Sequence, residues 1–210
     1  LNCSMFYFTK TPGWLKKLYP SCIWSIPTDR KVLYLSFDDG PHAAATPFVL
    51  DQLRLFNARA TFFCIGKNVM EEQDVYKRIL NEGHRVGNHT QQHLNGWKTP
   101  DKLYLADVEK ARTIIDSDLF RPPYSRISAF QIRNLTRFLK YKLIMWDVLS
   151  GDFDPSINGR KAAKRVIKQA GPGSIVVFHD SARCFQVIQE ALPEVLAYVT
   201  DKGYFFEAIS

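Results

Sequence analysis

Two carboxylates stand side by side at Asp38-Asp39, directly after the apolar run Val32-Leu33-Tyr34-Leu35 and before Gly40-Pro41. The run is too short and too apolar for anything but a buried strand. Adjacent like charges repel, and desolvation disfavours both, so such a pair is costly unless something offsets it. Gly40-Pro41 turns the chain away at the strand's C-terminal mouth, where α/β proteins bind ligands. Taken alone, Asp-Asp-Gly reads as a turn with a solvated neighbour. His89 and His93 are four apart, which on a helical turn puts both imidazoles on one side. That spacing suits two ligands of one Zn-like ion, although alone it also suits two surface histidines. A carboxylate such as Asp39 would complete a His-His-Asp set. Three protein ligands leave a position open for water, the mark of a catalytic rather than a structural site.

The elements that must position these residues alternate. Strands are predicted at 32–37, 61–65, 84–88, 119–120, 141–148, 174–178 and 204–208. Helices fall between them. Thr46-Pro47 opens one as cap and first helical residue, and Asn68 with Glu71 forms a capping-box-like start to the next. Thr99-Pro100, Ser128 and Asn158 open three more, and a last helix after Ser181 is interrupted and restarted at Pro193. The alternation implies one α/β domain with a parallel sheet, either a barrel or a doubly wound sheet. No glycine-rich phosphate loop follows the first strand, which argues against nucleotide binding. In a parallel sheet the strand ends gather on one face. Just beyond them stand Asp38-Asp39, His89 and His93, Arg121, Asp152 and His179-Asp180, so titratable residues mark five of the seven ends. Turn residues placed by chance would be mostly Gly, Asn and Ser.

Composition sets the outer bounds. The 210 residues are 46% hydrophobic and 13% aromatic, enough for one well-buried core and too apolar for disorder. No apolar run approaches the roughly 20 residues that span a bilayer. The net charge is +7, but Lys and Arg are scattered, and the densest cluster, at 160–165, has the spacing of a solvated helix face. Without a basic-aromatic motif, nucleic acid is excluded as a partner. Cys3, Cys22, Cys64 and Cys184 form no CxxC pair, which fits a reducing compartment. With Met5 read as the initiator and no signal peptide visible, a cytoplasmic location is expected. Residues 1–24, which mix aromatics with lysines, are set apart from 25–210 as a helical cap or an interfacial segment. The cap is favoured over contact with a membrane surface.

The strand-end residues fall in motifs that resemble the polysaccharide deacetylases of the NodB-homology type, carbohydrate esterase family 4. Five motifs match in order over residues 25 to 209. The resemblance implies a distorted (β/α)7 barrel and a metal-dependent hydrolase that removes N-acetyl groups from amino sugars. In Ser36-Phe-Asp-Asp-Gly-Pro41 it makes Asp38 the general base and Asp39 a metal ligand. In His89-Thr-Gln-Gln-His93 it supplies two further ligands, and in Arg121-Pro-Pro-Tyr124 an arginine that holds the base and a backbone N–H for the oxyanion. Ser150-Gly-Asp152-Phe153 supplies the carboxylate that tunes a histidine, and Val177-Phe178-His179 carries that histidine as general acid. The implied cofactor is one divalent ion, zinc first, with Co, Ni or another divalent metal compatible. Such an ion would polarise an amide carbonyl and acidify bound water.

Two residues depart from the family pattern in the acetyl pocket: Phe153 stands where Trp is usual, and Val177 where Leu is usual. Acyl specificity is therefore more open than activity. The alternatives are an O-acetyl esterase or other acyl-amide hydrolase at the same site, and a silent carbohydrate-binding pseudoenzyme. His42, His84, Asp154 and Asp180 are read as turn, core or cap residues. Trp97 and Trp146 are read as core or rim rather than sugar platforms.

Overall fold

The computed structural model describes residues 7–210, so Cys3 and Met5 lie outside the described residues. The described strands, in chain order, are β1 (Cys22–Ile23), β2 (Val32–Asp38), β3 (Thr61–Cys64), β4 (Arg85–Asn88), β5 (Leu119–Phe120), β6 (Lys142–Ile144), β7 (Val148–Leu149), β8 (Ile175–His179) and β9 (Phe205–Phe206). Among the described residues they form one sheet ordered β1-β6-β5-β4-β3-β2-β8-β7, with β9 also on β2. Every named pair is parallel. β2 is buried at every residue, as its apolar run requires.

The predicted strand at 141–148 is in fact two, and the break explains the barrel. β6 and β7 belong to opposite ends of the sheet order, yet only residues 145–147 separate them. Four peptide units reach at most about 14 Å. The ends of the sheet therefore curl round to face each other, which is the barrel alternative. The N-terminal segment occupies the seam: Lys10 bridges Val148 of β7, and β1 pairs with β6.

Helices cover the outside. Two lie before or beside the early strands, α1 (Gly13–Leu18) and α2 (Ala45–Leu55), followed by the short α3 (Gly66–Glu71) and α4 (Gln73–Asn81). Then come α5 (Asp101–Arg112), α6 (Ala129–Arg137), α7 (Gly159–Gln169) and α8 (Phe185–Asp201). Ser128 and Asn158 cap α6 and α7 as expected, Ser128 in a full capping box. Between sheet and helices, Phe37 stacks on Phe62 at 5.1 Å and on Phe178 at 6.2 Å, against Leu50, Leu53, Ile188 and Leu192.

Three cap and break expectations fail for identifiable reasons. α8 runs unbroken through Pro193. Proline costs a helix about 3 kcal/mol, whereas burying Ile188, Leu192, Val195, Leu196 and Val199 contributes about 1.5–3 kcal/mol each, and packing wins. Thr46 lies inside α2, whose first amides at Ala44 and Ala45 donate to the His42 ring instead. Asn68 lies within α3, and its amide is used elsewhere.

His84 is a core residue, as expected. Its Nδ1 accepts from the Ala60 N–H at 3.2 Å, and burial pushes its pKa down to about 4, with Arg59 adding to the effect. A depressed value in the fold means stability that is complete above the ordinary 6.5 and lost as pH falls through about 4. The thermal midpoint should therefore drop across that window, and the drop should flatten in His84→Gln, which keeps an acceptor without titrating there. An unchanged slope would show that His84 does not carry it.

Candidate active site

All the sequence-predicted site residues stand at the C-terminal mouth of the barrel. Asp38 ends β2 and His179 ends β8, and the two are direct register partners. His89 follows β4, Arg121 follows β5, and Asp152 with Phe153 follow β7. Val177 lies two residues before His179 on β8 and so shares its face.

Arg121 is the hub beneath. Fully buried, its guanidinium donates to Asp38 Oδ1 at 2.7 Å, to the Ser36 hydroxyl at 2.8 Å and to the Ile144 and Met145 carbonyls. Its face lies 4.0 Å from the Phe63 ring centre. Burial pulls its pKa down while Asp38 holds it up, which is how a buried cation and a buried anion support each other. The Arg121 carbonyl accepts from His89 Nδ1 at 2.7 Å. A carbonyl can only accept, so that nitrogen carries the proton and Nε2 keeps its lone pair.

His89 Nε2 and His93 Nε2 point at the same Asp39 oxygen, at 3.5 and 3.0 Å. Ligand atoms of the three residues all lie within 4.8 Å of one another. Burial would raise the Asp39 carboxyl, but the His89 and His93 imidazoles beside it, with His179 nearby, hold it well below the usual range. Two imidazole lone pairs and a carboxylate aimed at one point are the donors a zinc-like divalent ion takes, so the residues fit such an ion. Purified protein is expected to carry about one divalent ion per chain. His89→Ala with His93→Ala should lose it; unchanged metal content would remove the assignment.

The two histidines do not meet on a helical turn, as their spacing suggested. Residues 89–93 form an irregular loop with positive φ at Thr90 (67°) and His93 (57°). Asp107 of α5 accepts from the Gln91 and Gln92 amides at 2.8 and 3.0 Å, and Asn88 Oδ1 accepts from the Thr90 amide. The two long-range ties to Asp107 and the local one to Asn88 take the place of helical hydrogen bonds. Positive φ recurs at Asp39 (77°), Tyr124 (55°) and Ser125 (59°), so backbone strain gathers at this mouth.

On the other side, Asp152 holds His179 twice. One carboxylate oxygen meets His179 Nδ1 at 2.8 Å and the other accepts its backbone N–H at 2.6 Å. Burial alone would lower the imidazole pKa, but Asp152, helped by Asp39 and Asp38, raises it to about 10. The ring is therefore cationic at neutral pH. Phe153 packs edge-on against it at 5.3 Å. Cys184 also lies beside this pair, but burial pushes its thiol up to about 12, so it stays neutral there.

Some residues matter more here than their sequence context indicated. Asp180 is no exposed cap: it is fully buried, accepts from the Gly40 amide at 3.1 Å and from the Thr46 hydroxyl at 2.5 Å. Burial first, then Asp39 and Asp38, push its carboxyl up to about 8. A Cβ at Gly40 would collide with that carboxylate, which explains the glycine. Asn68 donates to the Asp39 carbonyl at 2.7 Å. Nothing local in the sequence marks either tie, since their partners lie far away along the chain. Asp154 is a turn residue as expected, accepting from Ser156 and also from the Tyr7 hydroxyl. Trp97 is on the rim and Trp146 is half-buried.

Known proteins resemble this chain in sequence and in fold. The profile of the polysaccharide deacetylase family matches residues 25–144. A peptidoglycan-N-acetylglucosamine deacetylase of Bacillus cereus is 32% identical over 93% of this chain and 95% of its own length. The peptidoglycan-N-acetylmuramic acid deacetylase PdaC of Bacillus subtilis is 31% identical over 89% of this chain and 39% of its own. Among solved structures, the Bc1960 peptidoglycan N-acetylglucosamine deacetylase superposes with a TM-score of 0.84 at 28% identity, covering 95% of both chains. A pseudoenzyme of carbohydrate esterase family 4 from Bacillus anthracis shares the fold, with a TM-score of 0.77 at 23% identity. Fold alone therefore does not decide activity; the side chains at the mouth do.

Proposed function

This chain belongs to the polysaccharide deacetylase family, and from that premise we propose that it hydrolyses the N-acetyl amide of amino sugars in a glycan of the peptidoglycan or chito-oligosaccharide class. The observation that carries the proposal is the register pairing of Asp38 with His179, each fixed by its own partner, Arg121 and Asp152. A base and an acid on neighbouring strand ends can act on one scissile bond.

A divalent ion held by Asp39, His89 and His93 would polarise the amide carbonyl and acidify water. Asp38, held by the Arg121 guanidinium at 2.7 Å, accepts the proton of the attacking water. As the carbonyl oxygen gains charge, the Tyr124 backbone N–H is the donor proposed to stabilise it. The amine is a poor leaving group until protonated, and cationic His179 supplies that proton while Asp152 keeps the ring in place. Phe153 and Val177 are proposed to bound the acyl group. Their smaller side chains leave more room than the usual Trp and Leu, so a modestly larger acyl group should be tolerated.

Acetate release across N-acetylated and O-acetylated glycans tests the assignment. Turnover confined to the N-acetyl set is expected; turnover confined to the esters would replace it with an esterase.

A further inference from the structure

Cys184 has no part in the reaction described above, yet it stands beside the residues proposed to protonate the amine. β7 and β8 are parallel neighbours, so Asp152, just past β7, meets His179 Nδ1 at the end of β8 at 2.8 Å. Past His179 the chain turns at Ser181, whose carbonyl accepts from the Cys184 amide at 3.1 Å, and α8 starts at the next residue. That turn brings the thiol back to the pair. One ligand atom from each of Asp152, His179 and Cys184 lies within 4.8 Å of the others. Asp152 and Cys184 are buried, while the His179 side chain, 16% exposed, opens the cluster to the mouth.

A carboxylate, an imidazole and a thiol are three ligand types that zinc takes. Bonds of about 2.0–2.3 Å put tetrahedral ligand atoms roughly 3.3–3.7 Å apart, so closing this cluster on an ion needs side-chain shifts of only about 1 Å. The charges also balance. Without an ion the His179 ring is cationic, and burial keeps the Cys184 thiol neutral, its pKa pushed up to about 12. A dication displaces one proton from the imidazolium and one from the thiol, and both protons leave to solvent. Two charges enter and two leave, so the cluster buries no added net charge.

Resting on the deacetylase reading above, we propose that Asp152, His179 and Cys184 form a second metal site, which stops the reaction when it fills. The ion takes both the imidazole and the carboxylate that orients it, so no proton reaches the leaving amine. Sulfur sets the selectivity. A thiolate favours Zn²⁺ and Cd²⁺ over Mg²⁺, Ca²⁺ and Mn²⁺, whereas Asp39, His89 and His93 offer only oxygen and nitrogen. His89 already presents a lone pair, but this cluster must first release two protons, so it fills only when zinc is in excess.

The test titrates Cd²⁺ and, separately, Zn²⁺ into protein already carrying about one zinc per chain. Wild type is compared with Cys184→Ala and Cys184→Ser by the ultraviolet sulfur-to-cadmium charge-transfer absorption and by acetate release from an N-acetylated chito-oligosaccharide. The wild type should gain a cadmium–thiolate absorption that both variants lack. The zinc concentration for half-inhibition should rise in the variants by at least the roughly 10- to 100-fold that losing even an outer partner costs a metal site. Absorption and inhibition that do not depend on Cys184 overturn the site. So does inhibition of the wild type by Mg²⁺ equal to that by Zn²⁺, a result that needs no variant to fold. Cys184-dependent absorption in a wild type that releases no acetate would keep the site and reject the reaction. Turnover with no Cys184-dependent loss in excess zinc would do the reverse.

Discussion

Asp38→Asn is expected to keep the divalent ion and lose turnover by about 10²–10⁴-fold, the usual worth of a positioned general base. The amide has nearly the same shape, and Asp39, His89 and His93 are untouched, so metal content reads out whether the site is still built. A carboxamide cannot take a proton from water. The variant also leaves the buried Arg121 guanidinium without its anion, although Ser36 and the Ile144 and Met145 carbonyls still accept from it. Some loss of thermal stability should therefore accompany the loss of rate. Steady-state acetate release together with metal analysis checks this. Full activity in a metal-loaded Asp38→Asn protein would remove Asp38 as the base.

His179→Ala should be nearly as damaging on an amide and much less so on an activated aryl ester. An amine must be protonated to leave, whereas a nitrophenolate leaves unaided, so the loss should be at least about tenfold greater on the amide. Equal losses would remove the general-acid role. The pH profile carries the same information. The imidazole pKa stands near 10 because Asp152 outweighs the lowering effect of burial. The acid form is thus present through neutral pH, and kcat should fall only in the alkaline range. Asp152→Asn removes the raising charge and should move that fall to lower pH. Stability follows the same sign: a value raised in the fold gives stabilisation that is complete below about 6.5 and lost as pH rises through about 10.

The sequence made the strands and the chemistry of their ends readable because both are local. Residues 32–35 mark a buried strand by apolarity alone, and in a parallel sheet each such end points the same way. That logic brought Asp38, His89, Arg121, Asp152 and His179 to one mouth before any contact was known. What stayed hidden depends on distant partners. Residues 89–93 read as a helical turn, but Asp107, about fifteen residues further along the chain, accepts from the Gln91 and Gln92 amides and holds the loop that replaces it. Asn68 looked like a cap from its neighbours, but its partner is the Asp39 carbonyl. Asp180 looked like a turn residue, but Gly40 and Thr46 bury it. The break between β6 and β7 is visible only once the sheet order is known, because a curled sheet lets three residues join its two ends.

The reaction itself is tested most directly by counting both products. With the protein loaded with a divalent ion and given an N-acetylated chito-oligosaccharide, new primary amine and acetate should appear in equal amounts. Both should disappear in Asp38→Asn. Acetate without amine, or neither product from the metal-loaded wild type, would contradict the assignment of amide hydrolysis to this site.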